Sequence, residues 1–287
     1  PYRRQRQMCI RDRVGCSHAR ADCFYKGAFI MNYIGIDIGS TCAKTVVLNE
    51  KKEFIQEFVQ PTGWSSVDTA EEIRQKLEFA GINLSNESSH CVATGYGRIS
   101  VPYADKTVTE ITCHALGAVH LFQHPDLTVI DIGGQDTKII QIEQGFVKDF
   151  IMNDKCAAGT GRFLEVMANT LSLRPNEMFE LARLGSDTTI SSMCTVFAES
   201  EVIGLIGKGE PKENIAYAVV DSTIRKVTAQ LSRMNGEMST FCLTGGLCEC
   251  EYIREALSKK LGKEVISSPD ARYAGAIGAA LSAMKIR

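Results

Sequence analysis

Residues 33–48 read YIGIDIGSTCAKTVVL, and residues 127–142 repeat the pattern as LTVIDIGGQDTKIIQI. In each copy an apolar strand ends in Asp-Ile-Gly, a small polar turn follows, and a second apolar strand carries a lysine. This pattern is typical of a β-hairpin with a polar tip. Two copies, with aspartates 94 residues apart at Asp37 and Asp131, predict two related domains.

Strands and helices alternate along the rest of the chain, which indicates an α/β fold. Further strands are predicted at Phe54–Val59, Cys91–Thr94 and Phe241–Leu243. Periodic apolar residues predict helices at Val67–Ala80, Glu110–Phe122, Thr160–Leu171, Asn176–Leu184, Ala198–Gly207, Lys212–Met234, Glu249–Leu261 and Ala271–Met284. We expect a first domain over residues 31–127, a second over 128–269, and a C-terminal helix within 270–287 that packs back on the first.

The composition is that of an ordinary globular protein, with 44% apolar and 23% charged residues in 287. It excludes a fibre, a coiled coil and a disordered chain. With 32 basic and 34 acidic residues there is no charge excess to attract nucleic acid. No apolar run approaches the length of a membrane helix. Eleven cysteines without a secretory signal predict a cytoplasmic protein with reduced thiols.

The first 30 residues do not match the rest of the chain. They carry seven basic and two acidic residues and show neither helical nor strand periodicity. We expect a non-native or disordered appendage, with Met31 as the true start. A basic arm that binds an acidic partner is the alternative. Without this segment, 25 basic and 32 acidic residues remain, so the body of the protein is acidic.

The two hairpin turns and a third turn have the residues that phosphate groups require. Glycines let backbone amides approach an anion closely, and serine or threonine hydroxyls add donors. An aspartate at the end of each strand can hold Mg²⁺ directly or through water. The candidate nucleotide-binding residues are Gly39, Ser40, Thr41, Lys44, Gly133, Gly134, Thr244, Gly245 and Gly246.

The three turns, in this order and at these separations, resemble the ATPase fold shared by actin, sugar kinases and heat-shock chaperones. The resemblance implies two similar domains that close on ATP or ADP with Mg²⁺. It implies that Asp37 and Asp131 serve the metal and the attacking water, and that Gln135 or Asp136 orients the water. Neither a G-x-G-x-x-G dinucleotide motif nor a P-loop is present to support a different nucleotide fold.

Two cysteines each precede a predicted helix. Cys156 lies in NDKCAAGTGRFLE (153–165), and Cys194 lies in SSMCTVFAESEVIGLIGKGE (191–210). A helix N-terminus favours an anionic group such as an iron–sulfur cluster. A 4Fe–4S cluster normally takes four thiolates, so two chains related by a two-fold axis would share one cluster. A set completed by Cys248 and Cys250 within one chain, or a purely structural role, are the alternatives.

These two motifs resemble the activator components of 2-hydroxyacyl-CoA dehydratases, within the BadF/BadG/BcrA/BcrD ATPase family. The resemblance covers residues 31–287. It implies that Cys156 and Cys194 carry one 4Fe–4S cluster between two subunits of a homodimer. It also implies reduced ferredoxin or flavodoxin as electron donor and dehydratase subunits as partners. ATP hydrolysis would change the angle between the helices flanking the cluster and inject one low-potential electron into the dehydratase.

Two other functions remain open at this point. One is the ATP-binding subunit of a benzoyl-CoA-reductase-type enzyme, which belongs to the same wider family. The other is a sugar or carboxylate kinase of the same fold in which every cysteine is structural. The acyl-CoA that is served cannot be inferred here, because its binding site would lie on another polypeptide.

Overall fold

Two five-stranded sheets with the same strand order form the framework of the protein. The computed structural model describes residues 31–85, 87–153, 155–192, 194–234 and 240–286, so the predicted appendage at 1–30 lies outside the described residues. The sheet orders are β3-β2-β1-β4-β5 and β8-β7-β6-β9-β10. The strands are β1 (Asn32–Ile38), β2 (Cys42–Leu48), β3 (Phe54–Pro61), β4 (Ser89–Thr94), β5 (Lys106–Thr107), β6 (Leu127–Ile132), β7 (Thr137–Glu143), β8 (Phe146–Asn153), β9 (Thr240–Gly245) and β10 (Val265–Ile266).

The repeated sequences form equivalent antiparallel hairpins at the centre of each sheet. Asp37 pairs with Lys44 in β1–β2, and Asp131 pairs with Lys138 in β6–β7. The tips also correspond. The Gly39 amide donates to the Cys42 carbonyl at 3.1 Å, and the Gly133 amide donates to the Asp136 carbonyl at 2.9 Å. The predicted hairpins and the α/β class are therefore confirmed.

Three strands were not foreseen from the sequence. β8 lies at an open edge of its sheet, and its residues are half-buried or exposed, so it lacks the apolar run that marks a buried strand. β5 and β10 each contain two residues, too few for any periodicity. β5 pairs in parallel with β4, and β10 pairs in parallel with β9, at the edge of each sheet opposite the hairpin. They complete the correspondence between the two sheets.

Most helices lie where periodicity predicted them. The predicted helix at Lys212–Met234 ends earlier, at Leu231, and the one predicted from Ala198 begins at Thr195. The helices are α1 (Ser66–Phe79), α2 (Glu110–Phe122), α3 (Gly161–Thr170), α4 (Pro175–Ala182), α5 (Thr195–Gly207), α6 (Lys212–Leu231), α7 (Glu251–Leu261) and α8 (Ala274–Ala283). None in the described part of the chain is long and apolar enough to cross a membrane.

Helix α8 returns from the end of the chain to pack against α2 and strand β1. The approach is close because small residues meet: a Cβ built on Gly278 would lie 1.8 Å from the Cys113 carbonyl oxygen. A Cβ on Gly117 would likewise lie 1.9 Å from the Ala274 carbonyl oxygen. Glycine is therefore required at these crossings. The pair of helices lies beside both aspartate-bearing strands.

Candidate functional site

A cavity of about 360 Å³ lies between the two hairpins and collects most of the predicted nucleotide-binding residues. Strands of both sheets end at it, so each sheet contributes one Asp-Ile-Gly turn. The predicted residues that line it are Asp37, Gly39, Ser40, Thr41, Lys44, Asp131, Gly133, Gly134, Asp136, Gly245 and Gly246. Residues far apart in the sequence thus form one concave site, as expected of a small-molecule cleft.

The tips of the two hairpins touch each other across the cavity. A Cβ built on Gly134 would lie 2.0 Å from Thr41 Oγ1. A larger residue at position 134 would have to displace the Thr41 side chain, so glycine favours this close approach. The two tips together can surround a phosphate group.

Two predicted residues lie outside the lining of this cavity. Gln135 is exposed at the tip of the second hairpin. Thr244 is buried, and its hydroxyl donates to Asp131 Oδ1 at 2.8 Å. Thr244 therefore holds Asp131 in place and does not face the cavity. Gly245 and Gly246 of the same turn line the cavity.

Sequence reasoning missed a buried charged cluster on helix α2 and strand β7. The ammonium of Lys138, 1% exposed, lies 2.8 Å from Glu110 Oε1, 2.7 Å from Asp136 Oδ2 and 3.6 Å from Asp131 Oδ2. His114 lies between the two aspartates, with Nε2 3.9 Å from Asp37 Oδ2 and Nδ1 3.5 Å from Asp131 Oδ1. The sequence feature that indicates this cluster is the pair Glu110 and His114, four residues apart in the first turns of a mostly apolar helix.

These contacts set the charge of the site. Burial raises the pKa of Asp131, but His114, Lys138, Lys44 and the Thr244 hydroxyl outweigh it and lower the pKa to about 2. Burial and the neighbouring Asp37 carboxylate raise the pKa of Glu110 against the attraction of Lys138. Asp131 is therefore ionised at neutral pH and available to a cation.

Oxygen ligands suited to a hard cation face the cavity. Asp37 Oδ1 is buried and finds no hydrogen-bond partner among the described residues. Side-chain ligand atoms of Glu110, His114 and Asp131 lie within 4.8 Å of one another. Carboxylates are preferred Mg²⁺ ligands, so Asp37 and Asp131 fit a nucleotide-bound magnesium ion, whereas Glu110 is already paired with Lys138.

A second cavity, of about 540 Å³, adjoins the first and shares Gly246, Leu247 and Arg272 with it. Phe179 and Tyr252 supply aromatic rings to its wall. The Arg272 guanidinium forms an ion pair with Glu249, Nη2 to Oε2 at 2.6 Å, beside the shared wall. The rest of its lining is largely polar, with Asn176, Glu180 and Glu251 beside the Glu249–Arg272 pair.

The two motif cysteines lie at the surface beside helices α3 and α5, which contact each other. Cys194 is exposed and is the N-cap residue of α5. Cys156 is half-buried in the loop that connects β8 to α3, four residues before the N-cap Thr160. Among the described residues, Cys194 forms no disulfide.

The segment before Cys194 is fixed by a carboxylate of its own helix. Glu201 accepts hydrogen bonds from the backbone amides of Ser191, at 3.0 Å, and Ser192, at 3.1 Å. Burial raises the pKa of Glu201, but these donors outweigh it and lower the pKa. The Arg225 guanidinium adds a bond of 2.9 Å to the Ile190 carbonyl. These contacts hold the backbone of residues 190–192 against α5 and α6.

The cysteines of the alternative ligand set have different surroundings. Cys248 is buried, 4% exposed, and its thiol lies 4.0 Å from the Pro269 carbonyl oxygen. Cys250 is the half-buried N-cap residue of α7 and lines the second cavity. Burial raises the pKa of both thiols, which disfavours the thiolate that a metal requires.

The family model described as the BadF/BadG/BcrA/BcrD ATPase family matches residues 34–283. The chain belongs to this family. The relationship expected from the cysteine motifs is confirmed, and with it the enzyme class, an ATPase.

Curated relatives agree over nearly their whole length. The chain is 43% identical over 254 residues to the (R)-2-hydroxyglutaryl-CoA dehydratase activating ATPase of Acidaminococcus fermentans, covering 88% of this chain and 96% of the relative. It is 41% identical to the activator of lactoyl-CoA dehydratase of Anaerotignum propionicum, with coverages of 88% and 97%. It is 30% identical to a subunit of the benzoyl-CoA reductase of Thauera aromatica, with coverages of 86% and 91%.

Solved structures confirm the actin-like ATPase fold. Component A of the Acidaminococcus fermentans (R)-2-hydroxyglutaryl-CoA dehydratase superposes with a TM-score of 0.81 at 42% identity, covering 89% of this chain and 98% of the other. The activator of 2-hydroxyisocaproyl-CoA dehydratase from Clostridium difficile, with bound ADPNP, gives 0.79 at 34% identity, with coverages of 89% and 95%. A glucokinase from Streptomyces griseus gives 0.56 at 16% identity, with coverages of 89% and 100%, and shares the fold alone.

Proposed function

We propose that this chain is an ATP-hydrolysing activator that passes a low-potential electron to a 2-hydroxyacyl-CoA dehydratase. The named relatives above support the dehydratase as partner. The observation that carries the proposal is the direct bonding of the second hairpin tip to the Cys156 region. The amides of Gly161 and Arg162, at the start of α3, donate to the carbonyls of Gly133 and Gly134 at 2.9 and 2.8 Å.

The nucleotide would bind across the two adjoining cavities. The tips at Ser40–Thr41 and Gly133–Gly134 would hold its phosphates, and Lys44 would neutralise part of their charge. Asp37 and Asp131 would hold Mg²⁺, whose chemistry is to withdraw electron density from the phosphate that is attacked. The nucleoside would lie near Gly245 and Gly246, towards the aromatic wall of the second cavity.

The attacking water would be oriented by carboxylates of the same cavity. Asp37 and Asp131 are buried beside it, and an ionised carboxylate can accept a proton from water. Asp136 is also buried but is paired with Lys138 at 2.7 Å, which favours a role in holding the hairpin. Gln135, exposed at the tip, remains a second candidate for orienting the water once the cleft has closed.

Cys156 and Cys194 would each supply one thiolate to a 4Fe–4S cluster shared by two chains. A cluster of this kind, when bound, carries single electrons. The fit rests on the donors: one half-buried and one exposed cysteine, which precede two helices that contact each other. Since one chain offers two such thiols, a homodimer would complete the set. Reduced ferredoxin or flavodoxin would be the donor, and an exposed cluster would require anaerobic conditions.

Binding of ATP would change the positions of the cysteines only if the open and closed cleft bind it with different affinity. Closure on the phosphates would shift the Gly133–Gly134 tip, and the bonded start of α3 would move with it. The benzoyl-CoA reductase relative leaves a second candidate, the ATP-binding subunit of such a reductase. The two share the ATPase chemistry and differ in the partner.

The test is reconstitution of the anaerobically purified protein with dehydratase subunits. We expect ATP-dependent activation of a 2-hydroxyglutaryl-CoA or lactoyl-CoA dehydratase, with no activation by ADP. Activation of a benzoyl-CoA reductase alone would favour the second candidate. A protein without iron that phosphorylates a sugar or a carboxylate would refute both.

A further inference from the structure

Two side chains at the end of the second sheet grip the loop that carries Cys156. Thr137 on β7 and Asn153 on β8 are cross-strand partners. The Thr137 hydroxyl donates to the Gly159 carbonyl at 2.6 Å. The Asn153 amide donates to the carbonyls of Cys156, at 2.8 Å, and Ala158, at 3.1 Å. One pair of strand residues therefore holds three carbonyls of the cysteine loop.

The same strand residues adjoin the tip of the second hairpin. Thr137 is 1% exposed and follows Asp136 directly, and the Asp136 carbonyl accepts the hydrogen bond of the Gly133 amide that closes the tip. The far end of the loop is bonded to the same tip through Gly161 and Arg162, as described above. Both ends of the loop thus depend on the position of the tip.

The end of the loop at Gly159 is packed against α6. Gly159 has φ +84°, and a Cβ built on it would lie 2.8 Å from Cγ of Lys226 on α6. A packed loop of this kind tends to move together with the elements to which it is bonded. A displacement of the tip would therefore be transmitted to Cys156.

The first hairpin has no equivalent of these side-chain hydrogen bonds among the described residues, although its tip is closed by the same backbone hydrogen bond. Ala43 and Gln60 are the cross-strand partners at the positions equivalent to Thr137 and Asn153. Alanine has no hydroxyl, and the Gln60 side chain bonds Glu72 and Lys76 of α1. A functional tip therefore forms without a threonine and an asparagine at these positions. The Thr137 hydroxyl and the Asn153 amide therefore occur only in the second of the two hairpins, the one that is followed by the cysteine loop.

We propose that Thr137 and Asn153 are positioning residues that transmit the nucleotide state of the Gly133–Asp136 tip to Cys156. This inference rests on the proposed function, because it requires a nucleotide at the tip. The Thr137 hydroxyl and the Asn153 amide are the connecting groups. Removing either should leave nucleotide binding intact and uncouple the loop from it.

The experiment uses Thr137→Val, which keeps the shape and removes the donor, and Thr137→Ser, which keeps the hydroxyl. Asn153→Ala is the second variant. Thr45→Val is the matched control, since Thr45 is a fully buried threonine of the first sheet whose hydroxyl has no partner among the described residues. Hydrogen exchange of the peptide covering 155–165 is followed in iron-free full-length protein, with and without Mg²⁺ and a non-hydrolysable ATP analogue.

We expect the analogue to change the exchange rate of this peptide about tenfold in the wild type, Thr137→Ser and Thr45→Val. In Thr137→Val and Asn153→Ala we expect the analogue to bind with the affinity of the wild type and the response to be lost. A wild-type response in both variants, or no response in the wild type, would overturn the inference. Should a variant fail to fold, the other one decides.

A second readout separates this inference from the proposed function. In iron-loaded protein we expect the analogue to shift the midpoint potential of the wild type and of Thr137→Ser, but not of Thr137→Val. If the wild type holds no iron yet its loop responds through Thr137, the positioning role stands and the cluster proposal fails. If iron is present and Thr137→Val shows the wild-type shift, the positioning role fails and the cluster proposal stands.

Discussion

The positive charge of a single residue, Lys138, compensates the negative charges of three carboxylates around the cavity. Its ammonium is within 4 Å of Glu110, Asp131 and Asp136, and it is almost completely buried. Burial opposes the charge, but these carboxylates raise the pKa of Lys138 above its ordinary value. A buried charge that is paired on several sides leaves uncompensated partners when it is removed.

We therefore expect Lys138→Met to lower the free energy of unfolding by about 3–5 kcal/mol at neutral pH. The measurement is denaturant unfolding followed by circular dichroism. Lys148→Met is the control, because its ion pair with Glu143 is exposed and contributes about 0–1 kcal/mol. Equal stabilities of the two variants would refute this account of the cluster.

The same variant changes the dependence of stability on pH. The folded-state pKa of Asp131 is about 2, below the ordinary aspartate value of about 3.9. Its contribution to stability is therefore present above about pH 4 and is lost as the pH falls through about 2. In Lys138→Met the pKa of Asp131 moves back towards the ordinary value, so we expect a flatter stability curve between about pH 4 and pH 2. A curve as steep as that of the wild type would contradict the assignment.

How far the site can be predicted depends on whether its residues occur in local motifs. Asp37 and Asp131 were found because each lies in a repeated hairpin. His114 was missed because it comes from a helix 77 residues beyond Asp37 and meets it only when α2 packs beside both sheets. Lys138 occupies the same place in its hairpin as Lys44, but its burial among three carboxylates is a property of the fold.

Helices α8 and α2 cross beside the site with their backbones unusually close together. Gly278 of α8 meets the Cys113 carbonyl oxygen, and Gly117 of α2 meets the Ala274 carbonyl oxygen, so a methyl group added at either position must displace backbone. A cost of about 1–3 kcal/mol is typical where a packed contact is overfilled. The return of the C-terminal helix was expected from the sequence, whereas its close fit was not.

We expect Gly278→Ala to destabilise the protein by about 1–3 kcal/mol in thermal or denaturant unfolding. The matched variant is Gly204→Ala on α5, where a Cβ would meet nothing within 4 Å. There the better helix propensity of alanine should stabilise the iron-free protein by about 0.5–1 kcal/mol. If both Gly278→Ala and Gly204→Ala raised the free energy of unfolding, the crossing of α8 and α2 would not depend on glycine.

The strands were predicted unevenly for a physical reason. Hairpin strands at the centres of the sheets are buried on both faces, so their apolar runs identify them. The edge strand β8 has only partly buried side chains, and the two-residue strands depend on neighbours that the sequence does not place beside them. The proposed division into domains near residues 127 and 269 stays a prediction.

The exposed apolar face of α5 bears on the assembly of the whole molecule. Val196 and Phe197 are about two-thirds exposed, and Ile203 and Ile206 are also exposed on the helix that begins at Cys194. Apolar residues exposed together commonly mark an association surface. A two-fold dimer over this face would cover them and bring two copies of Cys194 towards one axis.

Phe197→Glu should therefore produce a monomer at concentrations where the wild type is a dimer, measured by light scattering after size exclusion. Phe79→Glu, which alters a still more exposed phenylalanine on α1, is the control and should remain a dimer. A wild-type monomer in the iron-loaded state would contradict the shared site. A dimer in Phe197→Glu would show that the apolar face of α5 is not the dimer surface.

Cys156 and Cys194 of two chains would hold one iron–sulfur cluster, and the iron and acid-labile sulfide content of anaerobically prepared protein tests this arrangement. We expect about two iron and two sulfide per chain in the wild type and in Cys248→Ser. We expect almost none in Cys156→Ser or Cys194→Ser. A wild type without iron, or loss of iron in Cys248→Ser with retention in Cys194→Ser, would rule out the shared cluster at these two cysteines.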